Sequence, residues 1–144
     1  MSSERYKLIS EVHLFLFKAN QTLLLLRANT GYEDGKYSVV AGHLDKNESV
    51  RSAMVREAYE EAGIKINIED LKMVHVMHRK SQQDRISFFF TCNKYQGNPY
   101  NKETDKCAEL KWFDLDNLPH NMVEYVKKAL EYYHKNVIHS DYGF

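Results

Sequence analysis

The sequence predicts an α/β protein, with helices packed against a largely mixed sheet. Three observations predict it. Six segments read as extended chain, two others repeat their apolar residues at helical spacing, and each helical segment follows three extended ones, with polar or glycine-bearing connections between them.

The first extended segment runs from Tyr6 to Phe17, with Val12, Leu14 and Leu16 on one face and His13 and Phe15 on the other. Ala19-Asn20 reads as a hairpin turn into Thr22–Arg27, whose consecutive leucines call for burial on both faces. Residues 29–36 carry two glycines and read as a loop. A short extended piece, Tyr37–Val40, then leads into Ala41-Gly42-His43. The clearest helix spans Ser49 to Ala62, with Ser49 as N-cap and Gly63 at the left-handed position that follows a helix. Strands follow at Leu71–Arg79 and Arg85–Asn93. Residues 96–106 form a long polar loop, and Ala108–Asp114 is a further strand. After Leu118-Pro119 a last helix spans Asn121–His134, its Met122, Tyr125, Val126, Leu130 and Tyr133 set to pack on the sheet. Phe88 and Phe90 are expected in the core, and Tyr37 and Phe89 are candidates to line a pocket.

Bulk properties set the outer limits. A chain of 144 residues with no repeat or linker reads as one domain, 1–144. Twenty acidic and twenty basic residues leave no net charge, so nothing favours duplex nucleic acid or anionic lipid, while a small anionic ligand held by local charges is allowed. Cys92 and Cys107 match no metal or redox spacing and are expected to be reduced. The N-terminal residues lack a signal-peptide pattern and no apolar run has membrane-spanning length, which places the protein in the cytoplasm by default. A homodimer is compatible with this reading.

The chemistry is concentrated in Glu57, Glu60 and Glu61. On a helix they fall within an arc of about 100°. Like charges at i,i+4 cost about 0.2–0.5 kcal/mol, and carboxylates near a helix C-terminus oppose the macrodipole by about 0.3–1 kcal/mol each when exposed. A helix built for stability alone would place lysine there. Clustered carboxylates are hard oxygen donors, suited to Mg2+, with Mn2+ as a substitute. The competing reading is a solvated acidic face.

Context decides between them. Residues 42–64 read GHLDKNESVRSAMVREAYEEAGI. This resembles the complete signature of the Nudix hydrolases, G-x5-E-x7-R-E-U-x-E-E-x-G-U, with U apolar. Gly42, Glu48, Arg56, Glu57, Glu60, Glu61 and Gly63 fill every fixed position, and Ala58 and Ile64 the apolar ones. The resemblance implies an α/β/α sandwich in which the signature folds as loop–helix–loop. It implies that Glu57, Glu60 and Glu61 hold metal ions, with Glu57 favoured as general base, and that the carbonyl of Ala41 is a further ligand. Arg56 would orient a glutamate while Glu48 pairs with it, and Gly42 and Gly63 serve backbone geometry. Members of the family recruit another glutamate from outside the signature; here the candidates are Glu103, preferred because it lies in the long loop, and Glu109.

The implied reaction is metal-dependent cleavage of a phosphoanhydride bond in a small nucleoside di- or triphosphate derivative, with nucleoside triphosphates, normal or modified, favoured because motifs of other branches are missing. Arg79 and Arg85, at adjoining strand ends, and Arg27 are candidates to contact the substrate, as is Tyr37. His43 is expected to pack within the loop. Three other readings remain open: an RNA 5′-end hydrolase, a non-catalytic nucleotide sensor, and an isoprenoid diphosphate isomerase.

Overall fold

Two sheets divide the strands between them in the computed structural model, which describes residues 4–144. In chain order the elements are β1 (Ile9–Phe15), β2 (Phe17–Lys18), β3 (Gln21–Arg27), β4 (Tyr37–Ser38), β5 (Val40–His43), α1 (Val50–Ala62), β6 (Leu71–Arg79), β7 (Arg85–Cys92), β8 (Cys107–Asp114), α2 (Glu124–His134) and β9 (His139–Tyr142). The larger sheet has the order β5-β1-β7-β6-β9. It is mixed: β1 runs parallel to β7 and β6 parallel to β9, while β5/β1 and β6/β7 are antiparallel. In the smaller sheet β3 pairs with β8 along its length and with β2 and β4 at its ends.

Alternation along β1 sorts the core into two layers. Val12 and Leu14 join Leu16, Leu23, Leu25 and the buried residues of α1 in one cluster. Phe15 joins Leu24, Met77, Phe89 and the buried residues of α2 in the other. Helices therefore cover both faces of the sheet, in the sandwich the sequence implies. Phe90 is fully buried in the α1 layer, with Phe88 packed against it. Phe89 is also fully buried, so the expectation that it lines a pocket is corrected. Its ring lies flat against that of His13, with centroids 4.4 Å apart, and this position in the second layer leaves it no open face.

The first helix forms where its end signals lie. Ser49 accepts a hydrogen bond from the backbone N–H of Ser52, and Gly63, at φ 69°, donates to the Tyr59 carbonyl. Ala53, Met54, Ala58 and Ala62 are its buried stripe. The small Ala58 is thus a packing choice, being fully buried in the core.

Two element starts and one additional strand differ from expectation. The first strand starts at Ile9, and Tyr6 is 75% exposed. Helix α2 starts at Glu124, because Asn121 and Val123 exchange backbone hydrogen bonds with Tyr37 and so stay extended. The polar segment His139–Tyr142 forms β9 on the edge of β6; its sequence carries no apolar alternation to announce it. Both cysteines are unpaired. Among the described residues no helix is long and apolar enough to cross a membrane.

Candidate active site

The strand β5 and the second half of α1 meet backbone to carboxylate. The Ala41 N–H donates to Glu61 Oε1 at 3.0 Å. The Glu57 carboxyl lies directly over Gly42, where a β-carbon would stand 2.2 Å from Glu57 Cδ. Glycine is required there for close approach. Arg56 organises the rest. It grips Glu48 at two points, Nε to Oε2 at 2.8 Å and a terminal nitrogen to Oε1 at 2.9 Å, and donates to the His43 carbonyl at 2.9 Å. Its other terminal nitrogen reaches Glu57 Oε1 at 2.6 Å and Glu60 Oε2 at 3.2 Å. Glu48 also accepts from the Asp45 N–H, which fixes the turn before the helix. Two-point guanidinium–carboxylate bonds are strong and directional.

The fourth carboxylate comes from the loop. Tyr100 N–H donates to the Ala62 carbonyl at 3.0 Å and Lys102 N–H to the Glu61 carbonyl at 3.2 Å. These bonds use carbonyls that the helix end leaves without partners and thread the loop past the carboxylate cluster. Glu103 therefore lines the same cavity as Glu57, Glu60 and Glu61, and its charge acts on both Glu57 and Glu61. Glu109, the alternative, lies elsewhere: on β8 it accepts from the Tyr37 hydroxyl at 2.9 Å. Burial pushes the carboxyl of Glu61 well above the ordinary carboxylate range, and Glu57 and Glu103 push it further against the single Ala41 hydrogen bond. Burial raises Glu57 as well, with Arg56 opposing. Arg56 is held charged chiefly by Glu48. Among the described residues no three acidic, histidine or cysteine side chains converge as a ready ligand sphere, and Arg56 binds both Glu57 and Glu60.

The cavity measures about 490 Å³, a size that accommodates a small ligand. Its floor is the face of the larger sheet on which register sets Ala41 beside His13 and His43 beside Glu11, with Arg85 beside Arg79 one row further. Here Glu11 is buried and shared: Arg79 donates to Oε1 at 2.6 Å and Arg85 to Oε2 at 2.8 Å. Ser87 binds both Arg79 and Glu11, and the Arg79 guanidinium lies 3.5 Å from the Tyr125 ring centroid. Burial alone would raise the Glu11 pKa, but His13 and the two arginines outweigh it and hold it down to about 2. One carboxylate between two guanidiniums leaves this end of the cavity positive. Burial pushes His13 down to about 4, so it is neutral at pH 7; Nδ1–H then donates to the Phe88 carbonyl, and Nε2, 2.8 Å from the Tyr125 hydroxyl, accepts its proton.

A profile of the NUDIX domain matches residues 7–133 of this chain. The chain belongs to the NUDIX family. Among curated relatives it is 29% identical over 116 residues to an ADP-ribose pyrophosphatase of Methanocaldococcus jannaschii, covering 80% of this chain and 67% of that protein. It is 26% identical over 114 residues to an NAD-capped RNA hydrolase of Chromobacterium violaceum, covering 79% of this chain but only 41% of the relative. A solved MutT NUDIX hydrolase from Burkholderia pseudomallei shares the fold, with TM-score 0.80 at 24% identity over 87% of this chain and 97% of that one. A MutT protein from Methanosarcina mazei Go1 does so at TM-score 0.77 and 18% identity, covering 92% and 97%.

Within this NUDIX chain the structure brings together Glu57, Glu60, Glu61, Glu103, Ala41, Gly42, Arg27, Arg79 and Arg85 around one cavity. Tyr37 is outside it. Its hydroxyl is taken by Glu109 and its ring is edge-on to Phe113, which removes it from the pocket role expected of it. Arg79, at the end of β6, is only 5% exposed. His43 does not pack within the loop as expected: it ends β5 with its side chain 62% exposed and Nε2 3.3 Å from Glu11 Oε2. Sequence reading missed Glu11, Tyr32 and Tyr125. A signal for Glu11 existed: Glu11 and His13 share the β1 face with buried Phe15, and a half-polar face on a strand buried on both sides marks a cavity wall.

Gly42→Ala isolates the carboxylate from the fold. The obstructed atoms are the carboxyl end of the Glu57 side chain and not backbone, so we expect thermal stability to change by less than about 1 kcal/mol while activity falls at least about 10-fold. A melt alongside steady-state kinetics checks it; a folded variant with full activity would show that Glu57 need not lie there.

Proposed function

We propose that this protein is a divalent-metal-dependent pyrophosphohydrolase that cleaves a phosphoanhydride bond in a nucleoside di- or triphosphate derivative. One observation carries the reading. Four carboxylates, Glu57, Glu60, Glu61 and Glu103, line a cavity whose floor ends in paired arginines. A cavity so divided matches a ligand that brings a cation to one part and anionic oxygens to the other.

The donors fit a hard ion by their chemistry. Glu57, Glu60, Glu61 and Glu103, with the Ala41 carbonyl beside them, are the residues that would hold it, in competition with Arg56 for Glu57 and Glu60. When bound, Mg2+ or Mn2+ would neutralise phosphate charge and lower the pKa of a bound water. The side chains supply the remainder. Arg56, anchored on Glu48, fixes the position from which Glu57 can take a proton from the attacking water. Arg85, anchored on Glu11 and 27% exposed at its side chain, presents charge to anionic oxygens. Arg79 reaches the cavity only as its buried neighbour. Arg27 lends charge from the wall, with two of its donor nitrogens already bound to the loop that follows β3.

The relatives' names favour widening the candidate substrates to ADP-ribose and to RNA with a nucleotide cap. The test is a panel of nucleoside triphosphates, modified triphosphates, ADP-ribose and capped RNA, incubated with Mg2+, with Mn2+ and with EDTA. We expect release of a nucleoside monophosphate and a phosphate-containing product from at least one, abolished by EDTA. No cleavage of any member with either ion would refute the proposal.

A further inference from the structure

The loop between β3 and β4 is built far more firmly than a connection requires. Two-residue turns suffice to join antiparallel strands. Here residues 28–36 intervene, and Asn29, Gly31, Glu33 and Gly35 all take positive φ. The Asp34 carboxylate gathers the backbone N–H groups of Thr30 and Gly31 and the Thr30 hydroxyl. Arg27 donates from Nε to the Tyr32 carbonyl at 2.8 Å and from a terminal nitrogen to Thr30 Oγ1 at 3.1 Å. Two bonds tie the loop to its surroundings: Asn29 donates to the Asp105 carbonyl, and the loop's own Gly35 carbonyl accepts from the Asn121 side chain.

This frame presents one side chain. Tyr32 lines the cavity that holds the carboxylates, yet 48% of its surface is exposed. Its ring rests near the Arg27 guanidinium, 5.4 Å from the centroid. Among the described residues lining the cavity, the other tyrosine, Tyr125, is buried against Arg79 and His13 and has no open face to offer. With the backbone already fixed around it, only the rotamers of the Tyr32 side chain remain to be ordered, so a planar ligand can cover the ring at lower cost than on a free loop. Stacking of a nucleobase on an aromatic side chain is worth about 1–3 kcal/mol and tolerates any base.

We propose that Tyr32, held by Arg27 and Asp34, is the platform on which the heterocyclic base of the substrate stacks. The proposal rests on the hydrolase reading above and deepens it: the substrate is a nucleotide, and the end remote from the reacting phosphates is recognised by its flat face.

The test compares wild type, Tyr32→Leu and Tyr32→Phe with Mg2+, on the best nucleotide substrate and on inorganic tripolyphosphate, which has no base. Tyr32→Leu should raise KM for the nucleotide about 10-fold with kcat within about 3-fold, as loss of one stacked base implies. Tyr32→Phe should stay within about 2-fold of wild type, and tripolyphosphate should not distinguish the three. Independently, saturation-transfer NMR with the four nucleoside monophosphates should show transfer to base protons in wild type and Tyr32→Phe but not in Tyr32→Leu. An unchanged KM in Tyr32→Leu, an equal loss on tripolyphosphate, or transfer unaffected by the leucine would overturn the platform. If no nucleotide is cleaved, the hydrolase reading falls, and NMR decides the platform by itself.

Discussion

Replacing Glu57 or Glu61 by glutamine should lower turnover by about 100- to 10,000-fold, the range associated with a missing proton-transfer group or charge stabiliser, with no change in the circular dichroism spectrum. The same substitution should stabilise the metal-free protein. Glu61 has a folded pKa well above its unfolded value. The folded state therefore keeps a proton that the unfolded chain releases, and wild-type stability declines as pH rises from about 4.5 through the raised pKa. Glutamine carries no such penalty and can still accept from the Ala41 N–H. The melting temperature of Glu61→Gln should exceed that of wild type at neutral pH, with the gap closing below about pH 4. Saturating Mg2+ at about a hundred times its dissociation constant should add about 2.7 kcal/mol to wild type alone, reversing the order. Equal turnover in wild type and both variants would reject the site.

The second large effect is on stability. Arg79→Met leaves Glu11 buried with one cation in place of two and removes the guanidinium from the Tyr125 ring. Breaking a buried ion pair from one side costs about 3–5 kcal/mol. Urea unfolding at pH 7 should show a loss in that range. The folded pKa of Glu11 is held near 2, below its unfolded value, so its contribution is present above about pH 4.5 and is lost as pH falls through 2. The deficit of Arg79→Met should therefore shrink on acidification, once Glu11 is protonated in the variant. The double variant Glu11→Met, Arg79→Met should recover most of the stability, because similar-sized apolar pairs often replace buried ion pairs at little cost. A deficit independent of pH would mean that packing, and not charge, sets the role of Arg79.

Local signals carried the sequence reading furthest. Ser49 and Gly63 fixed α1 within a residue, because caps act on neighbouring backbone groups. The alternation of Val12, Leu14 and Leu16 against His13 and Phe15 correctly divided β1 between two layers. The spacing of Glu57, Glu60 and Glu61 on one helix required nothing beyond its 3.6-residue period. What stayed hidden depends on chain brought from far away. Glu11 meets Arg79 and Arg85 only through the parallel pairing of β1 with β7, more than 70 residues apart, and local periodicity does not encode strand partners. The sequence preferred Glu103 to Glu109 only for its place in a long loop; the hydrogen bonds that dock that loop onto Ala62 and Glu61, which bring it to the cavity, were not legible. The sequence reading chose Tyr37 for the pocket and passed over Tyr32; the backbone sends the first to Glu109 and the second to the cavity.

The central claim is that the carboxylates around Ala41 and Gly42 are a seat for a divalent ion. Electron paramagnetic resonance of Mn2+, titrated with protein in the presence and absence of a non-hydrolysable nucleoside triphosphate analogue, tests it most directly. The claim predicts bound manganese in the wild-type protein, strengthened by the analogue and lost in a Glu57→Gln, Glu61→Gln double variant. Equal binding in the two proteins, or none in wild type with the analogue present, would contradict it.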